Sequence, residues 1–390
     1  MKEVRWRVTL ARDDKGAYNI NMKLMLTGGH LAPALAIIEE LAKQKNATPD
    51  LIFVGRKYAI DSEQTLSLEY KEIIKRNIPF ITLQSGRFSR LLNWHSVKSL
   101  LKIPGGFINA YLIVSREKPE AVMTFGGYIG LPIAFWSYLF HIPVYTHEQT
   151  ISPGLANRII ARFSRKVYLS FDEAAKFFPA GKTTVTGNPV RMAVLKIDKK
   201  PFAIVKSQPV IYITGGSLGS HSINQIIKEI IVKLLNRYIV IHQTGETKEY
   251  HDYEDLLKIK DRLPKELANR YYLVKHFFDD ELGYVFHTAD LVIGRAGANT
   301  FFELTALNKP AIFIPLPWSA NGEQELQARI FSEAGTGEVF HQTDDSRTLL
   351  ILVDKISTNI NRYRTNFHSL HQLYKKNAAE YIVNEIFTQA

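Results

Sequence analysis

Three side chains suited to acid–base chemistry or to sugar binding follow short apolar runs in this sequence. His30 ends the stretch KLMLTGGH, Glu148 lies in THEQT (146–150), and Glu303 lies in GRAGANTFFE (294–303). An imidazole titrates near neutral pH and often serves as a general base, and a carboxylate accepts hydrogen bonds from hydroxyl groups such as a ribose diol. The alternatives are a histidine that only caps a helix, a local His–Glu ion pair and a solvated helix glutamate. The elements that carry these residues therefore need to be identified.

The sequence has four places where an apolar run ends in glycines and a helical pattern follows. They contain Thr27-Gly28-Gly29, Gly126-Gly127, Gly215-Gly216-Ser217 and the stretch 294–303. Such a junction presents unpaired backbone N–H groups and the positive end of a helix dipole, so it can bind an anion. A tight turn without a ligand explains any single junction, because none has a strict dinucleotide-binding or P-loop motif. Four junctions in one basic chain favour a phosphate-bearing ligand.

Strand and helix patterns alternate through almost the whole chain, which predicts an α/β fold with parallel sheets. A chain of 390 residues is too long for one ordinary core. The stretch KLMLTGGHLAP near the start resembles VIYITGGSLGS at 210–220, and one copy opens each half of the chain. We therefore predict two Rossmann-like domains. The Pro- and Lys-rich segment 185–209 is expected to carry the linker, and the last thirty residues are expected to form helices.

The charge and composition limit the classes of partner. The formal net charge is +11, so an anionic partner is expected: nucleic acid, an acidic membrane surface or a phosphorylated substrate. The sequence has no cysteine, which excludes disulfides and cysteine metal sites. Residues 1–21 have mixed charge and no apolar core, so they do not resemble a secretory signal and are interpreted as an N-terminal extension.

A stretch without Asp, Glu, Lys or Arg runs from residue 121 to residue 147 and is long enough to span a membrane. Glycines and prolines divide it into short pieces. We interpret AVMTF as a buried strand, GGY as a turn, LPIAFWSYLF as a helix opened by its proline, and IPVYTHE as the next strand.

The segment 85–107 combines cations with large apolar side chains, a combination that suits an anionic membrane surface. The alternative is an amphipathic helix that packs on its own sheet. Binding to nucleic acid is not favoured, because no recognised nucleic-acid motif is present. The residues of this predicted membrane patch are Arg87, Phe88, Arg90, Leu91, Leu92, Trp94, Lys98, Lys102 and Phe107.

The ordered set of motifs resembles the MurG family, the bacterial peptidoglycan N-acetylglucosaminyltransferases. Single motifs are generic, but their order is specific, and together they cover about residues 24 to 345. The matching motifs are TGGHLAP (27–33), TFGGYIGLP (124–132), THEQTISPGLANR (146–158), TGNPVR (186–191), ITGGSLGSHSINQ (213–225), HQTGE (242–246), RAGANTFFEL (295–304) and NGEQELQAR (321–329).

The resemblance implies a GT-B fold with two Rossmann-like domains facing a central cleft. The first domain, 22–188, would bind the acceptor and the membrane, and the second, 189–367, would bind UDP-GlcNAc. A C-terminal helix at about 368–390 would cross back to the first domain. The enzyme would be peripheral, at the cytoplasmic face of the membrane, with cell-wall synthesis proteins as candidate partners.

The implied reaction moves GlcNAc from UDP-GlcNAc to the muramoyl 4-hydroxyl of lipid I, giving lipid II with inversion at the sugar. No cofactor or metal is expected, because the sequence lacks a D-x-D metal–nucleotide motif and dipoles and side chains would stabilise the leaving diphosphate. We hypothesise that His30 is the catalytic base and that Glu148 orients the acceptor side or is itself the base. The implied donor contacts are Thr27, Gly28, Gly29, Thr150, Arg191, Ser217, Phe278, Ala298, Asn299, Thr300, Phe301, Phe302, Glu303 and Gln324.

Several positions depart from the family pattern. Leu26 replaces a glycine, Thr150 replaces an asparagine of HEQN, and Leu218 replaces the glutamine of GGSQG. The family's Asn-Ala is Gln327-Ala328 here. The alternative functions are another GT-B transferase with a lipid acceptor, such as a diacylglycerol glycosyltransferase, a UDP-GlcNAc 2-epimerase, and a membrane-bound scaffold without turnover.

Overall fold

The computed structural model describes residues 22–43, 49–58, 66–83, 94–216, 218–247 and 249–389, and within these ranges the side chains of 94–102 are not described. The described residues form two compact units. The first ends at Pro189 and also includes the chain from Lys376 onward, and the second spans Val190–Lys375. The change from one unit to the other at Pro189 falls inside the Pro- and Lys-rich segment 185–209.

The first unit contains a seven-stranded parallel sheet with the order β3-β2-β1-β4-β5-β6-β7. Its strands β1, β2 and β4 are mostly apolar, as expected where both faces of a parallel sheet are covered. The strands are β1 Lys23–Thr27, β2 Asp50–Gly55, β3 Phe80–Thr82, β4 Ala121–Thr124, β5 Val144–Glu148, β6 Lys166–Leu169 and β7 Thr183–Val185.

The second unit contains a six-stranded parallel sheet with the order β10-β9-β8-β11-β12-β13. Its first strand pairs with the second and the fourth, as in the first unit, so the internal similarity of the sequence corresponds to a repeated topology. The strands are β8 Val210–Thr214, β9 Ile239–Gln243, β10 Tyr271–Val274, β11 Leu291–Gly294, β12 Ala311–Phe313 and β13 Gly337–Val339.

Helices connect the strands, as parallel strands require. The α-helices are α1 Leu31–Lys43, α2 Leu68–Lys75, α3 Trp94–Glu117, α4 Gly127–Leu139, α5 Leu155–Phe163, α6 Met192–Leu195, α7 His221–Leu235, α8 Asp252–Asp261, α9 Lys265–Ala268, α10 Asp279–Thr288, α11 Ala298–Leu307, α12 Glu323–Glu333, α13 Ser346–Thr358, α14 Ile360–Thr365 and α15 Ala378–Gln389. Short 3₁₀ helices occupy Asp172–Phe177, Ala320–Gly322 and Asn366–Ser369.

The C-terminal helix α15 contributes to the core of the first unit. Its buried residues Ile382, Val383 and Ile386 join a cluster with Leu35 and Ile38 of α1. The opposite face of the same sheet is covered by α3 and α4. The helix begins at Ala378, about ten residues later than the sequence suggests, because the chain before it forms a 3₁₀ helix and turns.

The apolar stretch 121–147 folds as a strand, a helix and a second strand, as predicted, but the predicted start of the helix was wrong. Helix α4 begins at Gly127, and Pro132 lies inside it. Gly126 adopts a φ of 81°, which only glycine reaches easily, and so the chain turns directly into the helix. Pro132 then costs the helix one backbone hydrogen bond. Among the described residues, no helix is long and apolar enough to cross a membrane.

Candidate functional site

The four predicted glycine junctions lie at equivalent places in the two units. In the first unit they follow the neighbouring strands β1 and β4, and in the second they follow β8 and β11. In each sheet the chain leaves these two strands in opposite directions, which makes the gap between their carboxyl ends a topological switch point. Ligands of open α/β sheets bind at such points.

Close packing accounts for the glycines of the first junction. A Cβ atom on Gly29 would lie 2.5 Å from the carbonyl oxygens of Phe125 and Gly126, so the turns after β1 and β4 touch through their backbones. The Gly28 position is closed by Glu69 of α2, whose Oε1 would lie 2.0 Å from a Cβ atom there.

Glu69 places a carboxylate on the turn that the sequence predicts to bind an anion. The backbone N–H of Arg56 donates to Glu69 Oε2 at 3.0 Å, and the N–H of Gly29 also hydrogen-bonds this carboxylate. Burial raises the pKa of Glu69, and these hydrogen bonds and the charge of Arg56 oppose the rise. Glu69 was not among the predicted site residues, and only its position in the first turn of an amphipathic helix marks it in the sequence.

His30 stands at the start of α1, directly after this turn. Its Nδ1 lies 2.8 Å from the side-chain Nε2 of Gln149, which is 119 residues away in the sequence. Burial lowers the pKa of His30 to about 4, so the ring is neutral at neutral pH. A neutral imidazole can accept a proton, as a catalytic base must.

Glu148 is held by the loop that follows β5. Its Oε1 accepts hydrogen bonds from the Thr150 N–H and hydroxyl at 2.9 and 2.8 Å, and its Oε2 accepts one from Asn157 Nδ2 at 2.7 Å. Burial raises the pKa of Glu148, and the hydrogen bonds from Asn157 and Thr150 oppose this rise. The carboxylate therefore fixes the conformation of the loop, and the neighbouring Gln149, which the sequence reasoning missed, makes the contact with His30.

In the second unit, two residues predicted to bind the donor separately are paired with each other. The Arg191 guanidinium donates through Nε and Nη2 to Glu303 Oε1, and through Nη1 to Asp279 Oδ1 at 2.6 Å. Glu303 is buried, which raises its pKa; Arg191 opposes this rise and Asp279 adds to it. This cluster stands behind the first turn of α11.

The other donor residues predicted in the second unit follow three strands of its sheet, β10, β11 and β12. Phe278 follows β10 and is 42% exposed. The run Ala298–Glu303 begins α11, whose cap residue Gly297 supplies no side-chain hydrogen bond to the first turn. Gln324 lies on α12, and its Oε1 accepts from the backbone N–H of Leu316 at 3.0 Å. Ser217 lies outside the described residues.

Arg295 is a further residue that the prediction did not select, although it belongs to the RAGANT motif. Its Nη2 donates to the hydroxyls of Ser220 and Ser222, both at 2.7 Å, and its Nη1 donates to the carbonyl oxygen of Ile314 at 3.0 Å. Burial lowers its pKa. This cation joins the ends of β11 and β12 to the start of α7.

The predicted membrane patch is described only at its end. The segment 84–93 and the side chains of 94–102 lie outside the described residues, so of the patch only the side chain of Phe107 is described, and its ring contacts Phe135 of α4 with centroids 5.5 Å apart. Beyond it, α3 and α4 expose several large apolar side chains, and the Tyr111 and Phe140 rings are 5.8 Å apart. These exposed residues are Ile108, Tyr111, Leu112, Tyr138, Leu139 and Phe140.

No group of three or more His, Asp or Glu side chains suited to a metal ion occurs in the part of the chain that the structure describes. The polar atoms that are buried without a hydrogen-bond partner there include Thr27 Oγ1, Thr146 Oγ1 and Gln149 Oε1. All three lie at or near the carboxyl ends of β1 and β5, the edge of the sheet where His30 and Glu148 are found.

Solved structures of similar fold include a crystal structure of Acinetobacter baumannii MurG, with a TM-score of 0.64, 23% identity and coverage of 94% of this chain and 100% of that one. A UDP-GlcNAc 2-epimerase from Neisseria meningitidis bound to UDP-GlcNAc has a TM-score of 0.62, 14% identity and coverage of 94% and 100%. At these identities the likeness shows the fold, and it confirms the predicted α/β GT-B class.

Relatives with higher sequence identity distinguish the transferase from the epimerase. A Bacillus cereus protein named UDP-N-acetylglucosamine--N-acetylmuramyl-(pentapeptide) pyrophosphoryl-undecaprenol N-acetylglucosamine transferase 2 is 32% identical, over 93% of this chain and 99% of that protein. A Clostridium perfringens protein named as the same kind of transferase is 34% identical, over 87% and 92%. The family models for the N-terminal and C-terminal domains of glycosyltransferase family 28 match residues 27–169 and 210–383. The chain belongs to glycosyltransferase family 28.

Proposed function

We propose that this chain transfers N-acetylglucosamine from UDP-GlcNAc to the muramoyl 4-hydroxyl of undecaprenyl-pyrophosphoryl-MurNAc-pentapeptide, lipid I, and so makes lipid II for peptidoglycan. The observation that carries the proposal is the full-length similarity to relatives named for this donor and acceptor, at 32% identity over 93% of the chain. The arrangement of His30 at the first switch point and of Arg191 and Glu303 behind the α11 turn supports it.

In the proposed reaction the acceptor hydroxyl attacks C1 of the donor sugar from the face opposite the diphosphate. The new C1–O bond forms as the bond to the diphosphate breaks, UDP leaves with the electron pair, and the configuration at C1 inverts. The hydroxyl proton goes to His30, which is neutral because burial lowers its pKa to about 4. Glu148 holds the loop that follows β5 through its hydrogen bonds with Thr150 and Asn157.

For the donor, we propose that Glu303 accepts hydrogen bonds from the uridine ribose and that Arg191 fixes its carboxylate. The first turn of α11 and the turn after β8 would face the diphosphate, whose charge their N–H groups stabilise. Transfer would then need no metal. An activity that is unchanged by EDTA is the expected result, and a loss restored by Mg²⁺ would contradict this part of the proposal.

The test of the function is release of UDP from UDP-GlcNAc in the presence and absence of lipid I. We expect release only with lipid I, together with a lipid II product. A diacylglycerol glycosyltransferase would release UDP with diacylglycerol instead. An epimerase would convert the donor sugar without any acceptor. If UDP-GlcNAc is not turned over with lipid I, with diacylglycerol or without an acceptor, the protein is a scaffold without catalytic activity.

We further propose that the first unit docks on the anionic cytoplasmic face of the cell membrane. The net charge of +11, the cations from Arg87 to Lys102 and the exposed apolar surface of α3 and α4 support this. Apolar side chains that enter the lipid boundary and cations near anionic headgroups act together.

Co-sedimentation with vesicles of anionic phospholipid tests the membrane proposal. The charge reversals Lys98→Glu and Lys102→Glu, combined with Leu112→Glu, should abolish sedimentation, because each interfacial cation contributes about 1 kcal/mol and the apolar contact is lost. Ile351→Glu, at a 66% exposed site in the second unit, is the matched control and should sediment like the parent. Sedimentation of the triple variant at the parent level would contradict the proposal.

A further inference from the structure

Among the described residues, the contact with Gln149 is the only side-chain hydrogen bond of His30. Gln149 is 4% exposed, and its Oε1 is buried without a partner in the part of the chain that the structure describes. A buried amide atom without a partner carries a desolvation penalty, and native proteins keep few of them. The side chain is therefore placed for a purpose that packing alone does not explain.

The backbone position of Gln149 is set by its neighbours and not by its own side chain. Its neighbour Glu148 is fixed by three hydrogen bonds from Thr150 and Asn157, and the backbone on both sides of Gln149 is held with it. The amide is thus presented to His30 by a rigid loop, which keeps the ring in one orientation. Fixed ring orientation is a requirement for a catalytic base.

The atom that Gln149 presents to Nδ1 decides which ring nitrogen carries the proton. An amide nitrogen donates to Nδ1, which puts the imidazole proton on Nε2 and leaves no free lone pair there. An amide oxygen accepts from an Nδ1–H group, which leaves the Nε2 lone pair free to take a proton. The two arrangements differ by a 180° turn of the amide, and in the arrangement of the structure the nitrogen faces Nδ1 and the oxygen lacks a partner.

We propose that Gln149 is the positioning residue of His30: in the working enzyme its amide oxygen accepts from Nδ1–H, and this holds the ring in the tautomer whose Nε2 takes the proton of the acceptor hydroxyl. The amide NH₂ group then occupies the buried place of the oxygen that lacks a partner in the present arrangement. This inference rests on the proposed function, since it concerns the base of that reaction.

Other titratable groups near the ring set the background of any pH measurement. His147, 1% exposed, interacts with His30 electrostatically, and burial lowers its pKa to about 3. Glu148 directly precedes Gln149, and Glu69 is hydrogen-bonded by the turn before His30. Only substitutions at Gln149 change the group on Nδ1 and leave these three in place.

The tautomer can be read without any activity. Protein labelled with ¹⁵N-histidine is compared with its His30→Ala variant, which identifies the His30 ring resonances among the twelve histidines. At pH 7.5 in the presence of lipid I, we expect a protonated Nδ1 and an unprotonated Nε2. A protonated Nε2 would overturn the proposal, because that ring could not act as the base.

Two variants of Gln149 test the same point by kinetics. A carboxylate can only accept from Nδ1, so Gln149→Glu enforces the proposed tautomer; we expect kcat at pH 8 to stay within about tenfold of the parent. The new charge should also move the acidic limb of the kcat profile upward by roughly one to three pH units. Gln149→Leu should lower kcat about 10- to 100-fold, less than the 10²- to 10⁴-fold typical of losing a general base, with the Kd for UDP unchanged.

The double variant His30→Ala/Gln149→Leu should be no slower than His30→Ala alone, because a positioning residue acts only through the base. Additive losses would overturn the proposal, as would an inactive Gln149→Glu protein that remains folded and binds UDP. A parent protein without lipid I-dependent UDP release would instead refute the proposed function, and the tautomer measurement would still decide whether Gln149 holds Nδ1–H.

Discussion

At the scale of single residues, the structure differs most from the sequence prediction where side chains far apart in the sequence form pairs. The sequence assigns separate donor contacts to Arg191 and Glu303, but the structure joins them through the guanidinium. Asp279, which the sequence reasoning did not select, completes the cluster. A guanidinium that donates to a buried carboxylate favours its charged form and fixes its orientation, and both serve a residue that must hold a ribose diol.

Glu303→Ala tests this cluster. The substitution removes the proposed acceptor of the ribose hydroxyls and keeps the contact of Arg191 with Asp279. We expect the free energy of UDP binding to fall by roughly 2 kcal/mol, which is about a 30-fold higher Kd. Isothermal titration calorimetry with UDP measures it. Glu333→Ala, at a 70% exposed carboxylate on α12, is the control and should bind like the parent. Equal dissociation constants for Glu303→Ala and the parent would remove Glu303 from the donor site.

At the scale of elements, the strand–glycine–helix junctions could be predicted because their signals are local. Apolar runs, Thr-Gly-Gly turns and helical spacing locate β1 with α1 and β8 with α7. The start of α4 was misplaced because a proline at a first helical turn and a proline inside a helix look alike in sequence. The partners of the turns could not be predicted, since Glu69 and Gln149 reach the first turn from elements that only the tertiary fold brings near.

Gly29→Ala tests whether the first junction needs its glycine for packing. A Cβ atom there meets two backbone carbonyl oxygens at 2.5 Å, and backbone cannot move aside as a flexible side chain can. We expect the free energy of unfolding of the first unit to fall by about 3 kcal/mol, the upper range for overpacked sites. Urea denaturation followed by circular dichroism measures the change.

Gly105→Ala is the matched control in the same unit. Gly105 lies inside α3, and a Cβ atom there meets nothing within 4 Å. Alanine is the better helix former, so this variant should be more stable by up to about 1 kcal/mol. If Gly29→Ala unfolds at the same urea concentration as the parent, the two turns do not require close contact, and an anion-binding role becomes the better explanation of the glycine.

At the scale of the whole molecule, both units repeat one topology and both keep a histidine inside. In the first unit, burial lowers the pKa of His147 to about 3. In the second, burial also lowers the pKa of His242 to about 3, and its ring nitrogens lie 2.9 Å from the Tyr271 hydroxyl and 3.1 Å from Asn224 Oδ1. Burial favours the neutral form of each ring, so we expect the stability of each unit to fall at acidic pH.

His242→Gln isolates this dependence in the second unit. Because the folded-state pKa of His242 lies below the ordinary value of about 6.5, the unfolded chain binds more protons between these two values. The stability that the neutral ring provides is therefore complete above about pH 6.5 and is lost as the pH falls. Between pH 6 and pH 4.5 the parent should lose about 1.4 kcal/mol of unfolding free energy per pH unit more than His242→Gln does.

Urea denaturation at several pH values gives both slopes, and raised carboxyl pKa values such as that of Glu303 affect both proteins alike. The same substitution at His341, whose side chain is 54% exposed, should reproduce the parent's slope. Parallel slopes for His242→Gln and the parent would show that His242 is protonated in the folded protein at acidic pH, and that burial of a neutral ring does not set the acid limit of the second unit.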